Sequence, residues 1–167
     1  MKKIQVRHCE PGDAAALRAI FEQPSCYAGT LQLPHPPLEQ WKNRLEKRPA
    51  GYYSLVAEVE GEVVGQIGLQ VLQNPRRRHV AQLGMAVHEG FRGLGVGSRL
   101  LAEIIELAEA WLGVERIELE VFTDNEGARV LYEKHGFSPE GVATAYALRA
   151  GKYVDALRMA RLRPHSR

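Results

Sequence analysis

The stretch GFRGLGVGSRLL, residues 90–101, sets four glycines into eight positions between an apolar strand pattern and an amphipathic helix pattern. Glycine loses more backbone freedom on ordering than any other residue, so such a cluster marks a bend where the main chain itself must approach something. The first turn of a helix leaves N–H groups unpaired, and the macrodipole makes that end positive. Strand, bare bend and helix start together form an anion site, and phosphate is its natural guest.

Two phosphate loops do not fit. A Walker loop needs GxxxxGK[ST], and the chain has no Gly-Lys-Ser or Gly-Lys-Thr. A dinucleotide fingerprint needs GxGxxG in an early βαβ unit, but here Gly95 and Gly97 are followed by Leu100 in place of the third glycine. The glycines also follow a hairpin, which is the wrong context for that fingerprint.

The periodicity around the bend sets the architecture. A strand at residues 4–8 gives way at Glu-Pro-Gly-Asp to a helix that Asp13 can cap, with Leu17, Ile20 and Phe21 at helical spacing and an end near Pro24. A proline-rich loop around His35 precedes a second helix in which Leu38, Trp41 and Leu45 share a face. From Tyr52 the period drops to two, and two β-branched strands are joined by a tight turn at residues 60–62. A strand at residues 80–87 enters the bend, and a helix over residues 98–112 leaves it with Leu101, Ile104, Ile105 and Leu112 inward. A strand at 116–122, a helix at 126–135 closed by Gly136, and two terminal strands around Arg-Ala-Gly-Lys complete the chain. Hairpins mixed with helical crossovers predict an α/β (α+β) fold whose mixed central sheet carries helices on both faces.

With 45% hydrophobic and 25% charged residues, the 167-residue chain reads as a single domain, residues 1–167. A formal net charge of +2 is too weak for nucleic acid as the main partner, and Arg76, Arg77 and Arg78 read as a solvated loop run. Cys9 and Cys26 stand far apart without metal-ligand spacing, so neither a disulfide framework nor a metal site is expected. No apolar run approaches the ~20 residues that span a bilayer, so a cytoplasmic protein with no membrane partner is expected.

Arg92-Gly93-Leu94-Gly95-Val96-Gly97 matches the pattern (Arg/Gln)-x-x-Gly-x-(Gly/Ala), and VFTDNEGARVLYEKHGF downstream supplies an asparagine, an alanine and then LYEKxGF. Together the two motifs resemble the GNAT superfamily of N-acetyltransferases, and with the element order the likeness covers most of the chain. It implies a sheet of about seven strands, splayed between the fourth and fifth, and acetyl-CoA as cosubstrate without a metal. By the same resemblance, the backbone from Arg92 through Gly93, Leu94, Gly95, Val96 and Gly97 to Ser98 holds the pyrophosphate. The strand Met85, Ala86 and Val87 pairs with the pantetheine arm like a missing strand, and a splayed edge does offer unsatisfied donors and acceptors to its two amides. Asn125 and Ala128 then lie beside the cofactor arm, although Asn125 also reads as a helix N-cap.

Transfer from a thioester to an amine needs an uncharged amine, a seat for the oxyanion and a proton for the departing thiolate. Ala128, Leu131, Tyr132 and His135 form one helical stripe, which alone reads as core, but the resemblance makes Tyr132 the general acid. Some relatives carry a carboxylate base where this chain has Ala81, so that role does not transfer. His79 and Glu118 or Glu120 are the remaining candidates, and only one parity of the later strand can face the site.

The segments TLQLPHP, RRRHVAQLGMAV and YALRAGKYVDALRMARL resemble the branch of bacterial GNAT proteins that acetylate small amines, above all L-amino-acid N-acetyltransferases. This implies a small-molecule amine acceptor in a pocket of Leu33, His35 and Trp41 on one side and Tyr146 on the other. Acetylation of an antibiotic, a herbicide or a protein N-terminus, or a non-catalytic CoA sensor, stays open as an alternative, and the terminal strands could pair with a second copy as a homodimer.

Overall fold

The computed structural model describes residues 2–165. Its elements run β1 (Ile4–His8), α1 (Ala14–Phe21), α2 (Pro24–Ala28), α3 (Leu38–Glu46), β2 (Tyr52–Val59), β3 (Glu62–Val71), β4 (Val80–Val87), α4 (Val96–Glu106), β5 (Arg116–Phe122), α5 (Glu126–Lys134), β6 (Ser138–Arg149) and β7 (Lys152–Leu162). The strands form one seven-stranded sheet in the order β1-β2-β3-β4-β5-β7-β6. Every pairing is antiparallel except β4 with β5, the neighbouring strands that the α4 crossover joins. The fold is the expected mixed sheet.

Local chemistry explains the turns. Glu60 and Gly61, with φ of 52° and 79°, make the two-residue turn whose twist suits a hairpin between β2 and β3. In α4, Val96, Leu100, Leu101, Ile104 and Ile105 recur at helical spacing and are buried, each stabilising by about 1.5–3 kcal/mol relative to exposure. They pack with Tyr132 and Phe137 on one face of the sheet, here the α4 face. On the opposite α1 face, Leu17, Ile20, Phe21, Trp41 and Leu45 cover Val56, Val63 and Ala86.

α1 ends at Phe21, near Pro24 as expected, and because the fixed φ of Pro24 suits a first helical position a short helix starts on it. Two local expectations are corrected. The helix after the glycines begins at Val96, before the predicted residue 98, and its last turn over Leu107–Trp111 widens to π-helical geometry. Asp13 does not cap α1 with its side chain. Its carboxylate instead accepts two hydrogen bonds of 2.8 Å from the Arg7 guanidinium and one of 2.8 Å from the Glu10 N–H. A charged fork outcompetes the cap.

Candidate functional site

β4 pairs with β3 along residues 81–87, but with β5 only through Val80, Ala81 and Gln82. β5 then stays with β7 as far as Phe122, so beyond residue 82 the two parallel strands separate. The far edge of β4 is left open. The His88 N–H bonds the Val64 carbonyl at 2.7 Å, so by alternation the main-chain groups of Met85 and Val87 point away from β3 and into the gap. The Val87 carbonyl already accepts from Arg92 Nε at 3.2 Å and lies 3.5 Å from the Cys26 thiol. The Met85 amide and carbonyl and the Val87 N–H remain as polar groups on a strand edge without a strand beside them.

The glycine bend closes one end of the gap. Gly93 and Gly95 have φ of 76° and 87°, a region costly to any residue with a Cβ, and open space lies where their side chains would be. Gly95 is the N-cap of α4 and brings no side chain to it, so the amides of the first turn are uncovered. Ser98 Oγ lies 2.9 Å from His135 Nε2. Burial, reinforced by the charge of Arg161, pushes that imidazole below its usual range.

α5 supplies the wall opposite. Asn125 Oδ1 accepts the Ala128 N–H at 3.2 Å and starts the helix. Tyr132, one turn on, is buried and meets Phe137 edge-on at 5.7 Å. Burial alone pushes its hydroxyl up to about 12.

These parts line a single cavity of about 1220 Å³ that passes through the separation of β4 and β5. On the α1 face its floor is polar: Tyr52 and Ser54 of β2, Gln66 of β3, and Gln82 and Gly84 of β4. Trp41, stacked on Phe21 at 4.8 Å between ring centres, roofs it. Ile117, Leu119 and Val121 of β5 belong to the α4-face core, so Glu120 and Phe122 fall on the α1 face. Phe122 meets Tyr146 edge-on at 6.4 Å. Glu120 is the one carboxylate among the residues lining the cavity, against Arg44, Lys47, Arg92 and Lys134.

The sequence profile of the Acetyltransferase (GNAT) family matches residues 17–137. The chain belongs to the GNAT family. It is 48% identical over 163 residues to the L-amino acid N-acetyltransferase AaaT of Escherichia coli (strain K12), covering 98% of this chain and 100% of that one. It also resembles the GNAT-family acetyltransferase of Streptococcus pneumoniae, at 30% identity and a TM-score of 0.80 over 96% of this chain and 99% of the other. A phosphinothricin acetyltransferase from Sinorhizobium meliloti in complex with AcCoA shares the fold at 21% identity, with a TM-score of 0.84 over 95% and 88% of the two chains. The protein is therefore a GNAT N-acetyltransferase, in a family whose fold is used with acetyl-CoA.

Against that family frame the expected residues divide sharply. Met85, Ala86, Val87, Arg92, Gly93, Gly95, Val96, Gly97, Ser98, Asn125, Ala128 and Tyr132 all line the cavity. Leu94 does not; it is 59% exposed on the outer side of the bend. Trp41, Glu120 and Tyr146 also line it. Leu33 and His35 do not: Leu33 is 77% exposed, and Leu31 and Gln32 of the same loop stand at the wall instead. The prolines that follow carry the chain outward before α3 begins at Leu38.

His79 is exposed just before β4, about 20 Å along the strand from Met85 at ~3.3 Å per residue, and is not brought to the cavity. Glu118 is committed elsewhere. Although partial burial pushes its carboxyl up, hydrogen bonds from Arg116 and Arg77 outweigh that and hold it below its usual range. Sequence reading missed Tyr52, Ser54, Gln66 and Gly84. The available signal was polar or glycine residues alternating with Ile67 and Leu69 in a strand whose outer face is roofed by helices. Among the described residues no cluster of three or more His, Cys, Asp or Glu side chains could hold a metal, and no helix is long and apolar enough to cross a membrane.

Proposed function

We propose that this GNAT enzyme transfers the acetyl group of acetyl-CoA directly to the amine of an L-amino acid or its amide. One observation carries the reading: a single cavity joins uncovered backbone amides on the α4 side of the strand gap to a polar, carboxylate-bearing floor on the other side. The residues fit the cosubstrate. A diphosphate matches the bare bend and the first-turn amides of α4, where nothing fills the space beside Gly93 and Gly95. A chain bearing two amides matches the open edge at Met85 and Val87. The likeness to an L-amino acid N-acetyltransferase supports the acceptor class.

The bound thioester supplies the activated acetyl group; the residues supply orientation and protons. The strand edge at Met85 and Val87 aims a main-chain N–H at the oxygen that gains charge during transfer. Tyr132, kept neutral by a pKa of about 12, holds a proton that it gives to the departing sulfur. Glu120 faces the cavity from the acceptor side and takes a proton from the incoming amine, directly or through water. His79, exposed beyond the far end of β4, has no part in this reading.

The test is a panel of L-amino acids, their amides, polyamines, aminoglycosides and phosphinothricin, scored by thiol release. Turnover of apolar amino acids or their amides supports the reading, and turnover confined to another class overturns the acceptor. Stoichiometric CoA binding without turnover on any amine would make the protein a sensor. Exposed Val142, Leu148 and Tyr153 on the last hairpin support a homodimer, which light scattering tests. Free Cys9 and Cys26 support action in the reducing cytoplasm, which fractionation tests.

A further inference from the structure

The floor of the cavity contains an unfilled feature. Gly68 of β3 and Gly84 of β4 lie directly opposite one another in the antiparallel register, and both face the cavity. At Gly68 a Cβ would overlap the Tyr52 hydroxyl, so the phenol lies across that glycine. At Gly84 nothing lies within 4 Å of where a Cβ would be, and the backbone there is of a kind any residue adopts. The pair therefore makes a hollow with a phenol on one side and empty space on the other. Pairing of β4 with β5 ends at Gln82 and Glu118. Two residues further along each strand, Gly84 stands level with Glu120, so the hollow adjoins the point where the gap begins.

Gln66 is 8% exposed, and its Nε2 donates to Ser54 Oγ at 2.9 Å and to Tyr52 Oη at 3.5 Å. Both contacts use an oxygen as acceptor. Ser54 is a further hydrogen-bonding partner of the phenol, and burial, the largest influence on it, keeps it protonated. A protonated phenol held by two side chains on the lining of a cavity offers its O–H to an acceptor that enters beside it.

We propose that Tyr52 Oη donates to an oxygen of the acceptor's α-carboxyl or α-carboxamide group, seated in the hollow over Gly84, and so selects amines that carry a carbonyl on the neighbouring carbon. Ser54 and Gln66 are positioning residues that fix the phenol. In an amino acid the amine and the carboxyl sit on one carbon, so a carboxyl at Gly84 holds the nitrogen near Glu120 and the open edge at Met85. Because the phenol is neutral, it serves a carboxylate and an amide carbonyl alike. This inference rests on the amino-acid reading above.

The experiment compares L-phenylalanine, L-phenylalaninamide and phenethylamine, which has the same ring and amine and no carbonyl. The kcat/KM ratio of L-phenylalanine to phenethylamine is measured in the wild type, in Tyr52→Phe and in Gly84→Ala. Tyr52→Phe keeps the ring over Gly68 and is expected to lower the ratio about twenty-fold, chiefly through the KM of L-phenylalanine, as loss of a hydrogen bond to a charged group implies. The phenylalaninamide ratio should fall in the same direction by a smaller factor. Gly84→Ala fills the hollow without backbone strain and should lower both ratios by about tenfold or more. A wild type that prefers L-phenylalanine while both variants keep its ratio overturns the Tyr52 assignment and leaves the acceptor class standing. A wild type that prefers phenethylamine or a polyamine overturns the acceptor class itself, and the assignment with it.

Discussion

The two sides of the strand gap are built on different principles. On the α4 side the contacts offered are almost all main chain: the amides after Gly95, the edge of β4 at Met85 and Val87, and one phenol, Tyr132. On the α1 side they are side chains contributed by distant parts of the chain: Tyr52, Gln66, Trp41, Glu120 and Tyr146. A backbone site demands a particular local conformation, which only certain residues at fixed spacing permit. A side-chain site demands only that residues of suitable chemistry meet, wherever they lie in the chain. On the function proposed above, the first side takes the cosubstrate and the second the acceptor amine.

Substitutions should separate the two sides cleanly. The largest effect is expected from Tyr132→Phe, which should lower kcat about a hundred-fold while calorimetry finds CoA binding unchanged. Because burial holds the Tyr132 hydroxyl up to about 12, the wild-type rate should show no loss from its ionisation up to about pH 10. Unchanged turnover in the variant would remove the acid from the α4 side and leave that side purely a cradle.

Next, Gly95→Val forces a β-branched residue to a φ of 87° and should raise the CoA dissociation constant by roughly ten- to thirty-fold, from about 1.4–2 kcal/mol of backbone strain. The KM of the amine should move far less, and an equal rise in both would mean that the two sides are not independent.

Glu120→Gln should lower kcat/KM for the amine by about tenfold with CoA affinity intact, as removal of a proton acceptor on the α1 side implies. The smallest effect is structural. Asn125→Ala deletes the cap on the Ala128 N–H and should cost about 1 kcal/mol, read as a fall in Tm of roughly 2–4 °C, with a modest rise in the CoA dissociation constant. A larger change in affinity than in stability would give Asn125 a direct place beside the ligand.

Legibility in the sequence follows the same division. The strand at residues 80–87, the glycine bend, the helix after it and the run from Asn125 to Phe137 were readable, because each is a local pattern whose chemistry acts within a few residues. Gly136, with a φ of 85°, ends α5 as its position in the motif implied. The cavity wall on the α1 side was only half readable. Trp41 and Tyr146 reach it, but Leu33 and His35 do not, since nothing within a proline-rich loop says which of its residues turns inward. Asp13 shows the same limit at small scale: the sequence offers a helix cap, and Arg7 from a neighbouring strand takes the carboxylate instead.

By itself, then, the amino-acid order determined the succession of strands and helices, the bare bend with its uncovered amides, and the family to which both motifs point. It did so because backbone conformation is governed by residues close in sequence. Only the tertiary structure decided where β4 and β5 part, that Glu120 and not His79 reaches the cavity, and that Tyr52 lies across Gly68 beside an empty place at Gly84. Those facts depend on register and on helices laid across the sheet, which bring together side chains tens of residues apart and leave no trace in the spacing of either.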